Sequence, residues 1–254
     1  MNKFLRLLAL CVALSMIPAF AAPTDVQAQL QRAIAYYDQG DYDAAVPIYR
    51  SLAAQGVAQA QNNLGLMYQA GQGVKQNDAQ AEKLYRQAAE QGHVIAQFNL
   101  GVMYDQGLGV KQDYAQAAKW YRQAAEAGDP DAQSNLGFLY FEGQGVKQDR
   151  AEGMKWYRQS AAQGNANAQY NLGVIYDEGE GVQQDSAQAM KWYRLAAEQG
   201  YDKAQYNLGL MYAQGQGVRQ DYAQAEQWFR QAAAQGHSNA QYALELMKEE
   251  GLIR

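Results

Sequence analysis

The chain has 254 residues, 48% of them hydrophobic and 19% charged, an ordinary balance for a folded globular protein. Its formal net charge of −5 argues against a nucleic-acid or anionic-membrane binder, whose affinity needs a basic patch. A single cysteine, Cys11, leaves no material for a disulfide framework within the chain.

The chain opens with "MNKFLRLLALCVALSMIPAFAAPTD". Lys3 and Arg6 form a short basic region, Leu7 to Ile17 an apolar run, and Ala19-Phe20-Ala21 a small-residue cleavage pattern. This order predicts a secretory signal peptide over residues 1–21, cut between Ala21 and Ala22. A cut one residue later would place Pro23 first and Phe20 at the outer small-residue position, which is disfavoured. The apolar run is too short to span a bilayer comfortably, so no stable membrane insertion is expected after cleavage. Cys11 follows Leu10, whereas a lipidated bacterial cysteine needs a small residue before it. Loss of Lys3 and Arg6 lowers Lys+Arg from 21 to 19 against 26 acids, so the mature charge is −7. The expected product is a thiol-free chain in the periplasm or beyond it.

Beyond the signal the chain repeats itself. "AQYNLG" stands at Ala168–Gly173 and again at Ala204–Gly209, with relatives at Ala60, Ala96, Ala132 and Ala240, each step 36 residues. A fixed period of that size marks a stack of helical units. In the unit His93–Gly128, Ala96, Leu100, Met103 and Tyr104 form a helical stripe, and Gly107 ends the helix. A loop carrying Gly109 and Val110 follows. Asp113 starts a second helix, and Gln116, three residues on, is expected to complete a capping box. Ala117, Trp120, Tyr121 and Ala124 give that helix its apolar face, and Gly128 terminates it. Gly65, Gly101, Gly137, Gly173 and Gly209 sit mid-helix, where glycine costs about 1 kcal/mol relative to alanine. They predict a close crossing against Ala81, Ala117, Gly153, Ala189 and Ala225. One helix pair cannot bury its own stripe, so neighbours must stack, and an insertion in one helix would misalign both.

The N-terminal unit, "AIAYYDQGDYDAAVPIYRSLAAQG" over Ala33–Gly56, has a shorter inter-helix loop. Its Ala33, Tyr36, Gly40, Asp41, Tyr42, Ala45 and Tyr49 resemble the tetratricopeptide pattern. The five longer units resemble the Sel-one-like repeat in their A-Q-x-N-L-G start, the tyrosine at 68, 104, 140, 176 or 212, the G-x-G-V loop and the "WYRQAA" tail. The last half-unit, Ser238–Glu250, replaces "NLG" with "ALE" and reads as a polar cap. The predicted organisation is residues 22–56 tetratricopeptide-like, 57–236 five Sel-one-like units and 237–254 the cap and tail. The resemblance implies an all-α, right-handed α/α solenoid.

Little in the sequence points to catalysis. The G-x-G loops follow helices and lack the strand a phosphate loop needs. His93 and His237 share one repeat position four periods apart, where other units place Val57, Asp129, Asn165 and Tyr201, so they read as turn residues. No metal, cofactor or catalytic residue is predicted. Asp177, Glu178 and Glu180 read as a solvated loop. Arg50, Arg86, Arg122, Arg158, Arg194 and Arg230 recur after the aromatic pair and read as a helix face whose stems cover neighbouring rings.

The resemblance directs four first-helix positions per unit into a concave groove. They give Gln59, Asn62, Leu66 and Gln69, then Ile95, Phe98, Val102 and Asp105, then Asp131, Ser134, Phe138 and Phe141. Asn167, Tyr170, Val174 and Asp177 follow, with Lys203, Tyr206, Leu210 and Ala213 after them and Asn239, Tyr242 and Leu246 in the cap. An apolar surface of that extent marks a protein or peptide interface. Phe98, Val102, Phe138, Phe141, Tyr170, Val174, Tyr206 and Leu210 are the predicted partner-binding residues. The alternative for the tyrosines is packing between adjacent units. The resemblance implies a non-enzymatic envelope adaptor or regulator. Two other readings are a β-lactam-binding or β-lactamase-like enzyme, against which the missing cysteines weigh, and a peptidoglycan or glycan binder using stacked tyrosines.

Overall fold

The computed structural model describes residues 23–253, so the expected export signal and Cys11 lie outside the described residues. Thirteen α-helices and no strand are found among them. α1 (Pro23–Asp38) and α2 (Tyr42–Ala54) form the short-looped first pair. Five longer-looped pairs follow: α3 (Ala58–Ala70) with α4 (Asp78–Glu90), α5 (Val94–Gln106) with α6 (Tyr114–Glu126), α7 (Pro130–Glu142) with α8 (Arg150–Ala162), α9 (Ala166–Glu178) with α10 (Ser186–Glu198), and α11 (Asp202–Gln214) with α12 (Tyr222–Ala234). α13 (Ser238–Glu249) closes the array. Each helix packs mainly on its neighbours in the chain, which is the arrangement of an all-α solenoid.

The punctuation is local. Gly107 closes α5 in the left-handed region (φ +73°), with its amide on the Met103 carbonyl. At the end of α6 the Gly128 amide donates to Ala125 and the Asp129 amide to Ala124, the paired bonds of a Schellman turn. Asp113 accepts from the amides of Ala115 and Gln116, so it does cap α6. The reciprocal half of the expected capping box is replaced, because the Asp113 amide donates to the Tyr104 carbonyl at 2.9 Å. The same bond joins Asn77 to Tyr68, Asp149 to Tyr140, Asp185 to Tyr176 and Asp221 to Tyr212. It fixes the length of every loop in the five units.

Three further links recur between units. The glutamine of each "AQ" is buried or sits against a neighbour's helix end: Gln61, Gln97, Gln133, Gln169 and Gln205 donate to the carbonyls of Ala53, Ala89, Ala125, Ala161 and Ala197 at 3.1–3.2 Å. Those carbonyls belong to the last turn of the preceding helix, whose acceptors have no partner within it. The second glycine of each loop lies on the start of the previous unit's second helix. A Cβ on Gly109 would stand 2.5 Å from the Asp78 carbonyl carbon, and one on Gly145 2.2 Å from that of Tyr114. Finally, the apolar clusters straddle unit boundaries. Ala117, Tyr121 and Ala124 of α6 share one cluster with Ala132, Leu136 and Leu139 of α7 and Trp156 of α8.

The mid-helix glycines make the expected close approach, with a different partner. A Cβ on Gly101 would lie 2.5 Å from the Tyr121 ring, and Gly65, Gly173 and Gly209 face Tyr85, Tyr193 and Phe229 in the same way. An aromatic ring four residues beyond the anticipated alanine therefore fills each space. Only in the third unit do two backbones meet, where a Cβ on Gly153 would lie 2.8 Å from the Gly137 carbonyl oxygen. The cap is less polar than expected: α13 exposes Tyr242 (67%) and Leu246, while Leu252 and Ile253 return to the core.

Candidate functional site

The letter after each "AQ" looks chiefly at the ring of its own unit's second helix. Phe98 lies 5.9 Å from Tyr121, Tyr170 5.8 Å from Tyr193, and Tyr206 5.7 Å from Phe229. Two of these rings also reach the next unit, Tyr170 to Tyr201 at 5.2 Å and Tyr206 to His237 at 4.7 Å in a stacked pair. Asn62 is buried and accepts from Asn99 at 3.2 Å, and Ser134 is buried. Such aromatic pairs contribute about 0.5–1.5 kcal/mol beyond area burial, so these rings hold the stack as well as facing outward.

The eight predicted contact residues are thus not equivalent. Phe98, Val102, Tyr170, Val174, Tyr206 and Leu210 are half-buried and packed on the core clusters. Phe138 is the exposed member, at 44%. Phe141 corrects the expectation of a continuous free stripe: it is only 5% exposed and belongs to the core with Tyr157, Ala168 and Leu172. The small Ser134 makes a second break.

The arginines lie on a largely exposed helix face and add a hydrogen bond to the neighbouring ring. Arg50, Arg158 and Arg194 donate to the hydroxyls of Tyr68, Tyr176 and Tyr212 in the following unit at 3.3, 3.0 and 2.7 Å. Arg86 and Arg122 bond Tyr104 and Tyr140 likewise and lie beside those rings. The eighteen-residue spacing of each pair carries the link from a second helix to the next first helix. Arg230 instead pairs with Glu226, since Lys248 occupies the corresponding place in the cap.

A second set of polar contacts holds the interior tyrosines. Tyr49 accepts from Asn63 at 3.2 Å, and Tyr85 donates to Gln69 at 2.9 Å. Tyr121 and Tyr193 donate to the carboxylates of Asp105 and Asp177 at 3.2 and 3.4 Å. Burial raises both carboxyls above the ordinary aspartate value, and the tyrosine bonds oppose that shift. The fifth unit uses Phe229 opposite Ala213 and so needs no acceptor. The third unit departs from this scheme, with Phe141 standing where the others place Gln69, Asp105 or Asp177.

At the junction of the third and fourth units lies a cavity of about 210 Å³. Its walls include Phe138, Phe141, Tyr157 and Val174, and its lining also includes Glu142, Glu178 and Glu180. Glu142 and Glu178 are exposed and the Glu180 side chain is 42% exposed, so the solvated character expected of Glu178 and Glu180 holds beside this aromatic surface. Asp177 points its carboxylate to Tyr193 instead. Arg150 lies at this junction, 5.2 Å from the Phe141 ring and 3.5 Å from the Glu180 carboxylate.

His93 and His237 are helix caps: their Nδ1 atoms accept from the amides of Ala96 and Ala240 at 3.2 and 3.3 Å. Asp129 and Asn165 perform the same task in their units, whereas Val57 and Tyr201 start their helices without a side-chain cap. Capping needs the neutral ring, and burial lowers the His93 pKa below its ordinary 6.5. The folded state therefore disfavours protonation. Its contribution is fully present above about pH 6.5 and is lost as pH falls through the folded value. The His93→Asn variant is expected to lose this acid sensitivity, read as hydrogen exchange of α5 amides at pH 7.5 and 5.5. Equal sensitivity in both proteins would show that another group is responsible.

Among the described residues no group of three or more His, Cys, Asp or Glu side chains is gathered to hold a metal ion, and no helix is long and apolar enough to cross a membrane.

Comparison with known proteins places this architecture. The Sel1 repeat family matches residues 58–93, 94–129, 130–165, 166–201 and 202–237, and a tetratricopeptide repeat matches residues 30–72. The crystal structure of c5321, described as a protective antigen of uropathogenic Escherichia coli with an SLR fold, is similar at 43% identity and a TM-score of 0.83. That alignment covers 89% of this chain and 50% of the other, so the chain spans about half the length of that relative. A Sel1 repeat protein from Oxalobacter formigenes aligns at 35% identity over 88% of this chain and 89% of its own, with a TM-score of 0.82. The immunity protein Pa5087 from Pseudomonas aeruginosa shares the fold, at 23% identity and a TM-score of 0.52 over 84% of this chain and 82% of that one. The search of curated proteins returned no match. Five consecutive matched units, stacked as the geometry requires, make this chain a member of the Sel1 repeat family.

Proposed function

We propose that the chain is an exported, non-enzymatic scaffold that holds a protein or peptide partner in the concave groove formed by its first helices, as an adaptor or regulator in a bacterial envelope. The observation that carries this reading is the first-helix face itself. It presents the exposed Phe138 beside the half-buried Phe98, Val102, Tyr170, Val174, Tyr206 and Leu210, with the rings of Phe98, Tyr170 and Tyr206 packed on Tyr121, Tyr193 and Phe229. Rings held this way lose little freedom on binding, which favours them as anchors. Export rests on the ordered basic, apolar and small-residue zones before Ala22. The description of the E. coli relative as a protective antigen agrees with a location outside the cytoplasm.

The test is site-specific photocrosslinking in the native host, with the photoreactive residue at 138 or 98 on the groove face or at Lys119 on a second helix. A discrete adduct from the groove positions alone is expected, on a chain whose mature mass begins at Ala22. Identical adducts from Lys119, or none from 138 and 98, would remove the groove from consideration. A mature chain retaining Met1 would remove export by signal cleavage.

A further inference from the structure

The second helices of the longer units carry a tryptophan at one repeat position, Trp120, Trp156, Trp192 and Trp228, except α4, which places Leu84 there. The surroundings of that position are otherwise kept. Trp120 packs with Ala89, Leu100 and Tyr104, and Leu84 packs with Ala53, Leu64 and Tyr68, each 36 residues earlier. The shorter side chain leaves space open. A pocket of about 390 Å³ lies between α2, α3 and α4, and its lining includes Leu84, those three residues, Arg50 and Lys83. None of the groove positions Gln59, Asn62, Leu66 and Gln69 lines it, so it is a surface apart from the groove.

The chain itself displays what such a space holds. Lys119, Lys155 and Lys191 lie 5.0, 5.5 and 5.6 Å from the rings of Trp120, Trp156 and Trp192. The Nε1 atoms of these rings are buried without a hydrogen-bond partner among the described residues, so packing and the lysine hold each ring. Lys83 precedes Leu84 in the same way and lacks the ring. The local charge is also uncompensated. Arg86 pairs with Glu82 four residues earlier, whereas Arg50 has the buried Val46 at that spacing. Ala54 stands where α4 and α6 carry Glu90 and Glu126. Neither Arg50 nor Lys83 forms a salt bridge among the described residues, and no carboxylate lines the pocket. In a chain of net charge −5 this is a positive spot.

We propose that this pocket receives a tryptophan side chain from an acidic segment of a protein partner, its indole lying on Ala53, Leu64 and Leu84 beside Lys83 and a neighbouring carboxylate pairing with Arg50 or Lys83. The indole takes the place that Trp120 holds one unit later, and Lys83 gains the cation–aromatic contact that its counterparts have. An aliphatic side chain fills space without that contact, and a basic segment meets like charge. A second copy of this chain cannot supply the ring, because Trp120 and Trp156 are buried and Trp192 and Trp228 half-buried.

The experiment titrates three blocked tripeptides, Asp-Trp-Asp, Asp-Leu-Asp and Asn-Trp-Asn, into the mature chain and follows backbone amide shifts by nuclear magnetic resonance. The first is expected to saturate shifts of Ala53, Leu64 and Lys83. It should bind about tenfold more tightly than the leucine peptide and about threefold more tightly than the uncharged one. Leu84→Trp restores the residue of the other units, so it should abolish saturation while the melting temperature holds or rises. Lys83→Glu should reverse the order of the two tryptophan peptides. Equal binding of the tryptophan and leucine peptides, or no saturation, would overturn the proposal. So would shifts centred on Phe98, Phe138 and Tyr170, which place the peptide in the groove. A Leu84→Trp variant that still saturates, or that melts well below the parent, would overturn it too, since the pocket would not be a tryptophan's place. None of these results depends on the crosslinks from 138 and 98, which test the groove alone.

Discussion

Leu136→Ala is expected to destabilise the array by about 2–5 kcal/mol, the cost of removing a buried leucine where the surroundings can close only partly. Leu136 is fully buried and shares its cluster with Ala117, Tyr121, Ala124, Ala132 and Trp156. Most of these neighbours are alanines without rotatable side chains, so little can move into the space. Because the cluster joins α6, α7 and α8, the loss weakens two interfaces at once, and stability in a linear array is carried by such neighbour contacts. Hydrogen exchange should accelerate first in residues 114–162, before the ends of the array respond. Phe138→Ala, two positions along the same helix on an exposed ring, is the internal comparison and should change stability by less than about 1 kcal/mol. A change below about 0.5 kcal/mol for Leu136→Ala would mean that Leu136 contributes little to the core.

The elements were legible in the sequence because their signals are local. Gly107 and Gly128 end helices for a backbone reason that needs no knowledge of the neighbours, and Asp113 caps α6 through amides two and three residues away. Features that depend on which unit faces which were harder to read. The ring over Gly101 belongs to Tyr121 rather than Ala117, a difference of one helical turn set by how the helices cross. The buried glutamines were visible as an unvarying polar letter inside an apolar stripe, a signal that a helix end nearby needs a donor. The Arg–Tyr pairs join positions eighteen residues apart, and only the stacking of one unit on the next brings them together. Phe141 shows the limit most clearly. An aromatic residue at a position directed into the groove reads as an anchor, yet the close Gly137–Gly153 crossing draws it into the core. The informative signal was its contrast with Gln69, Asp105 and Asp177, which identifies the unit whose first helix offers Tyr157 no acceptor there.

The loop glycines allow backbone strain to be separated from stacking, and Gly145→Ala is expected to be among the most damaging small substitutions in the chain. Gly145 has φ +67°, where alanine carries a penalty of about 1–2 kcal/mol from its Cβ alone. In addition, that Cβ would lie 2.2 Å from the Tyr114 carbonyl carbon and 2.3 Å from its oxygen. Both atoms are backbone at the start of α6, so relief requires the loop of the third unit to lift from the second unit. Forcing such a shift costs a further 1–3 kcal/mol or so, giving a total of about 2–5 kcal/mol. Gly128→Ala isolates the first term, since Gly128 has φ +98° with nothing within 4 Å of an added Cβ. Gly181→Ala tests the second from the other side: φ is again positive, at +73°, yet the nearest atoms belong to the Arg150 side chain at 3.2 Å, which can move aside. The expected order of destabilisation is therefore Gly145 well above Gly181, with Gly181 close to Gly128, measured by urea unfolding. A Gly145→Ala effect no larger than that of Gly128→Ala would show that the loops do not clamp successive units. The strict 36-residue period would then rest on the helix interfaces and the Tyr–Asp backbone bonds alone.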